Sequence, residues 1–159
     1  MGSVVFFMAL GLSLFHLPFI ACNFYYYFEQ DPCTSMDIEK FKIVFTLRTW
    51  LIVDAFLCTI FSAIILVLSL MSCLSINKPN YLTAYTIVAT IFGTLRIIWL
   101  VIGAIMFWGE LQPKKACTIE LANYMWANLI IGFIGSVVYY ALGYTYPRIQ
   151  SVPLPVKVP

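Results

Sequence analysis

The 159-residue chain is 62% hydrophobic and only 10% charged, with a formal net charge of +2. A soluble domain carries about 25% charged residues to make its polar surface, so this composition excludes one and indicates an integral membrane protein. No basic cluster points to nucleic acid, and 13 Phe, 10 Tyr and 4 Trp can furnish aromatic belts at both membrane interfaces.

The first apolar run, Val4 to Tyr26, is long enough for a spanning helix, which takes about 20 apolar residues. No Lys or Arg precedes it, so it reads as a retained helix rather than a signal peptide. Phe19-Ile20-Ala21-Cys22 faintly resembles a lipoprotein cleavage site, and Met1-Gly2 a myristoylation start. The missing basic leader argues against the first, and Phe6 in the Ser/Thr position against the second. Pro18 removes a backbone donor and predicts a kink. His16 shares a helical stripe with Ala9 and Ser13.

Loop one, Phe28 to Lys42, sets Glu29, Asp31, Asp37 and Glu39 against Lys40 and Lys42. Ser35 is placed to cap a short helix with Glu39 in its first turn. The second run, Ile43–Ser75, exceeds one bilayer, so the crossing is about residues 51–73, with Arg48 and Trp50 at the interface. Asp54 lies inside it, on an i, i+4, i+8 stripe with Cys58 and Ser62. Loop two, Ile76 to Ala84, turns the chain at Lys78, Pro79 and Asn80. So short a connection makes its flanking spans antiparallel neighbours.

Span three, residues 85–108, carries Arg96 near its middle. Facing lipid, that charge costs between about 2.5 and 17 kcal/mol, depending on method. Ala89, Gly93, Arg96, Leu100 and Gly103 fall on one stripe, and small residues mark a face where another helix packs closely. Arg96 is therefore expected to point into the protein, toward a partner. Loop three, Gly109 to Asn123, carries Glu110, Lys114, Lys115, Cys117 and Glu120. Span four, about residues 121–144, presents Asn128, Gly132 and Ser136 on one face, a helix-packing pattern with an amide able to bond across helices. In residues 147–159, Pro147, Pro153, Pro155 and Pro159 predict an extended, polyproline-like tail.

Four antiparallel spans bring His16, Asp54 and Arg96 into the same half of the membrane at about 1.5 Å per residue. An Asp54–Arg96 ion pair with His16 nearby is expected. Intramembrane ionisable groups often mark a proton or ion path, but three are few for one, and a buried pair that fixes helix register is the plainer reading. Cys33 and Cys117 lie in loops on one face and form a disulfide if that face is oxidising; two unpaired thiols are the alternative. Cys58 and Cys73 read as small packing residues. Without a CxxC pair, zinc is not expected. Phe24 to Phe28, with Trp108 and Trp126, reads as interface anchoring, a quinone or other hydrophobic ligand being the minor reading. No Gly-rich phosphate loop, HExxH or GxSxG is present, so neither catalysis nor a cofactor is expected. The terminal side holds Lys78, Arg148 and Lys157, the other Lys40, Lys42, Lys114, Lys115 and Arg48, a count that leaves the orientation open or weighs slightly against cytoplasmic termini.

Two segments carry a family resemblance. One is Cys33 followed by Leu47-Arg48-Thr49-Trp50-Leu51-Ile52-Val53. The other is Leu95-Arg96-Ile97-Ile98-Trp99-Leu100-Val101-Ile102-Gly103, then Phe107-Trp108, Cys117, Leu121 and Tyr124. Over about half the chain they resemble small four-pass eukaryotic membrane proteins of the transmembrane protein 272-like group. The resemblance implies the four-span architecture and no particular activity. The short third loop and the missing Cys-Cys-Gly exclude a tetraspanin.

The sequence thus predicts an all-α, integral membrane four-helix bundle with short loops and an extended Pro-rich tail. Functionally it reads as a non-enzymatic structural or accessory subunit, surrounded by membrane lipids and packed against other membrane protein subunits. The alternative is a small channel or transporter, with a homo-oligomer, using the His16, Asp54 and Arg96 layer. An endomembrane, the plasma membrane and the mitochondrial inner membrane are all compatible homes.

Overall fold

A membrane interior offers the backbone no water, so an apolar run of this length has to satisfy its own hydrogen bonds as a helix. The computed structural model, which describes residues 2–29, 31–36, 46–74 and 78–150, is built that way. Helix α1 spans Gly2–Phe28, α2 Leu47–Leu74, α3 Lys78–Met106 and α4 Ile119–Gln150. Four stretches are long and apolar enough to cross a membrane: Phe6–Phe28, Leu47–Leu74, Thr83–Leu111 and Ile119–Val138. The chain is an all-α, multi-pass bundle. Consecutive helices pack on each other, and α4 returns to α1 through hydrogen bonds from Tyr124 and Asn128.

The connections are tighter than the sequence reading has them. Lys78, Pro79 and Asn80 do not turn the chain; they open α3. Proline fits a helix's first turn, where a backbone N–H has no intrahelical partner to lose. Span three does not stop at Trp108: α3 continues as one wider, π-helical turn, Phe107–Leu111. The chain then turns at Lys115, with φ 49°, and re-enters a helix at Ile119. Ser35 caps nothing. It ends a 3-10 turn, Pro32–Ser35, whose N-cap is Asp31, because Asp31 followed by Pro32 is the stronger helix start. Glu39 lies outside the described residues. At the other end α4 is described as far as Gln150. One proline removes a single hydrogen bond and does not forbid a helix. Residues 151–159 lie outside the described residues. Likewise α1 runs unbroken through Pro18.

The interior has two unequal parts. Toward loops one and three, Leu47, Trp50, Leu51, Leu100, Met106, Phe107, Leu111, Leu121, Met125, Leu129 and Cys33 form the main core. Trp50 faces the protein interior rather than the surface. It is fully buried, lies parallel to the Trp99 ring at 6.4 Å, and donates Nε1–H to the Trp99 carbonyl at 2.9 Å. Gly103 makes that possible, since a Cβ there would sit 2.8 Å from the indole nitrogen. Toward the termini the described residues form a smaller core of Ala9, Phe61, Ile65 and Ala89, with Phe92 stacked on Phe61 at 5.4 Å.

Candidate functional site

Inside the main core sits a layer of polar side chains drawn from all four helices. Counting about 1.5 Å per residue from the loop-one and loop-three end, Asn23 and Tyr124 lie about 8 Å in. Asp54 and Asn128 follow at about 10–14 Å, and His16 and Arg96 at about 18–23 Å. Asp54 is fully buried. Its Oδ2 accepts a hydrogen bond from Asn23 Nδ2 at 2.8 Å and lies 3.9 Å from Arg96 Nη2. Asn23 is the hub of the layer. Its Oδ1 accepts from the Tyr124 hydroxyl at 2.6 Å and from Asn128 Nδ2 at 3.3 Å. The Tyr124 oxygen also lies 3.1 Å from the Phe19 carbonyl.

Arg96 crosses from α3 toward α2, where its Nη1 meets the Cys58 sulfur and its Nη2 faces Asp54. Only 8% of the residue is exposed. The absence of a Cβ at Gly132 leaves room for this: a methyl there would lie 2.9 Å from Leu100 and 3.7 Å from the guanidinium. His16 is buried within the electrostatic reach of Arg96. Of the expected trio, then, Asp54 and Arg96 meet directly and His16 flanks them. On the Asn128–Gly132–Ser136 face, Asn128 bonds across to α1, Gly132 receives Leu100, and Ser136 turns back to the Gly132 carbonyl at 2.8 Å. Asp54 Oδ1 and Asn128 Oδ1 are buried and receive no donor from the described residues.

Asn23 and Tyr124 are the residues that sequence reasoning missed. The signal was there: Asn23 follows His16 by seven positions and Tyr124 precedes Asn128 by four, so each shares a helical stripe with a residue already singled out. A polar residue on the stripe of another polar residue is an interior residue by the argument applied to Arg96.

A second cluster ties the loops above this layer. Cys33 and Cys117 are joined by a disulfide, their Cα atoms 4.8 Å apart. Asp31 sits beside it. One carboxylate oxygen accepts from Cys33 N at 3.0 Å; the other accepts from the Thr118 hydroxyl at 2.6 Å and Thr118 N at 3.3 Å. Thr118 Oγ1 in turn receives Leu121 N at 3.4 Å and so caps α4. A single carboxylate thus caps a turn on one loop and holds the cap of a helix on the other.

Neither cluster has the donor set of a metal centre: among the described residues no group of three His, Cys, Asp or Glu side chains converges. The chemistry of the intramembrane layer is that of a lock. Charge is neutralised pairwise, amides bridge the helices, and each group's position depends on the others. Comparison with protein-family models, with curated proteins and with solved structures finds no match for this chain.

Proposed function

We propose that this chain is a non-enzymatic structural or accessory subunit that packs within a larger membrane assembly. The observation that carries the reading is small-residue surface left uncovered on the outside of the bundle. Gly11 on α1 and Gly135 on α4 have open space where a side chain would stand. On α3, Thr90 and Thr94 face outward, one turn apart, with their hydroxyls bonded to their own helix. Between membrane helices the drive to associate comes from close backbone approach rather than from burial of apolar area. Outward small residues therefore suit helices from other subunits, and the rest of the outer surface suits lipid. The transmembrane protein 272-like kinship rests on the Leu47–Val53 and Leu95–Gly103 segments and adds architecture only. A membrane that borders the cytosol or the mitochondrial inner membrane would house it.

Extraction in a mild detergent, then a native gel and mass spectrometry of the band, tests the reading. Stoichiometric foreign subunits are expected, and Thr90→Leu with Thr94→Leu is expected to release them. A chain that migrates alone or as a homo-oligomer overturns it.

One observation favours the second reading, a small oligomeric channel or transporter. Asp54 Oδ1 and Asn128 Oδ1 are mid-membrane acceptors with no donor among the described residues, as groups on an ion or proton path would be. Against it stands the small apolar cluster of Ala9, Phe61, Ile65 and Ala89 on the terminal side of the layer. Flux through reconstituted vesicles that is lost in Asp54→Asn would favour the channel.

A further inference from the structure

Counting Lys and Arg leaves open which way the bundle faces, but the chemistry of its two ends does not. We infer that the end bearing Cys33 and Cys117 stands in an oxidising compartment, and that both chain ends and the α2–α3 connection stand on the cytosolic side. The inference is independent of the proposed subunit role, and it narrows the homes named above to membranes that border the cytosol.

Three features converge. The first is the disulfide itself, a bond that persists where glutathione and thioredoxin do not reduce it. It is part of a built structure. Asp31 binds the backbone of Cys33 and, on the other loop, both the hydroxyl and the amide of Thr118, the residue after Cys117. That carboxylate brings the two cysteines face to face, and Cys33 is fully buried in the main core.

The second is where the other sulfurs lie. Cys22 and Cys58 stand on α1 and α2 within the spans, and Cys73 is the penultimate residue of α2, at the opposite end of the bundle. All three are free. The thiol nearest the terminal face, Cys73, is unpaired, which a reducing compartment accommodates.

The third is charge. By sequence the terminal side has three bases, Lys78, Arg148 and Lys157, and the other side five, and acids contribute little to that count. The cytosolic leaflet is the anionic one and attracts juxtamembrane Lys and Arg. On the disulfide side the bases are not all available to a leaflet. Lys114 is held by the buried Glu110 at 2.8 Å, and Arg48 donates to the Tyr27 carbonyl at 2.9 Å while covering that ring. A partner for residues 147–159 would then be met from the cytosol, and one for the exposed turn at Gln112–Lys115 from the opposite compartment.

Two readouts on the full chain in cells test the orientation. For the first, a C-terminal epitope is probed by antibody in intact cells, after digitonin has opened the plasma membrane alone, and after full detergent permeabilisation. Access that begins at the digitonin step is expected. Access in intact cells, or only after full permeabilisation, overturns the inference. For the second, thiols are trapped in denaturant and counted by a mass-tagged maleimide. Three of the five cysteines should react before reduction and all five after it. Five reacting before reduction overturns it as well, because the compartment would then be reducing.

Discussion

The two halves of this bundle are held in different ways. The half near loops one and three is cross-linked: a disulfide joins the loops, Asp31 caps one and grips the other, and Asn23 ties α1 to α2 and α4. In the terminal half the core formed by the described residues is the cluster of Ala9, Phe61, Ile65 and Ala89. Its buried Ser69 hydroxyl bonds to the Leu66 carbonyl of its own helix and links nothing across the bundle. Lipid tails are as apolar as a leucine side chain, so apolar contact alone gives membrane helices little reason to prefer one another. Specific position has to come from polar bonds and from close fit, and among the described residues the polar bonds that cross between helices lie in the half near loops one and three. That half should set the arrangement, with the other free to adapt to whatever packs against it.

The largest effect should come from removing the charge at the centre of the locked half. Arg96→Ala leaves Asp54 fully buried and without its cation, and breaking a buried pair from one side costs about 3–5 kcal/mol. We expect a loss of that order in reversible unfolding by a denaturing detergent. Adding Asp54→Ala should recover part of it, because the orphaned charge goes too. If the double variant is as unstable as the sum of the singles, the two groups do not interact. A matched change in the terminal half, Phe61→Ala, should cost less than Arg96→Ala, since lipid can fill the space it leaves.

Removing the disulfide with Cys33→Ser and Cys117→Ser comes next. Losing a native disulfide costs about 2–5 kcal/mol in small soluble domains. Here the low end applies, because the helices stay in the membrane when unfolded and the Asp31–Thr118 bonds remain. Gly103→Val asks for less still, about 1–3 kcal/mol of overpacking against Trp50. Trp50 fluorescence should shift with it if the Trp50–Trp99 stack is displaced.

The fold was legible in the sequence because a membrane allows so few solutions. Length and apolarity located four helices, and the small-residue stripe placed Arg96 inside. What stayed hidden was set by tertiary partners. Trp50 looked like an interface residue because nothing local says that Gly103, more than fifty positions away, makes a slot for it. Pro79 looked like a break because the same residue both ends and starts helices. Asn23 is masked by the aromatic run that follows it, Phe24 to Phe28, although its spacing from His16 carries the signal. Asp31 was counted as one loop acid among four, and only the meeting of the two loops shows that it serves both.

The finest test of the comparison is Tyr124→Phe. The ring packs against Tyr26 at 5.0 Å, and the substitution keeps that contact while deleting one hydroxyl. The loss would be about 1 kcal/mol if the hydroxyl were an ordinary bond. Asn23 Oδ1 would keep Asn128 as a donor at 3.3 Å, so it would not be orphaned. A loss near 1 kcal/mol therefore means that the layer is a set of separable bonds. A loss approaching that of Arg96→Ala means that Tyr124 orients Asn23, that Asn23 in turn orients Asp54, and that the four helices are locked through one continuous chain of side chains. Pairing Tyr124→Phe with Asn128→Ala distinguishes the two cases. Separable bonds add, whereas in a continuous chain the second change costs little once the first has been made.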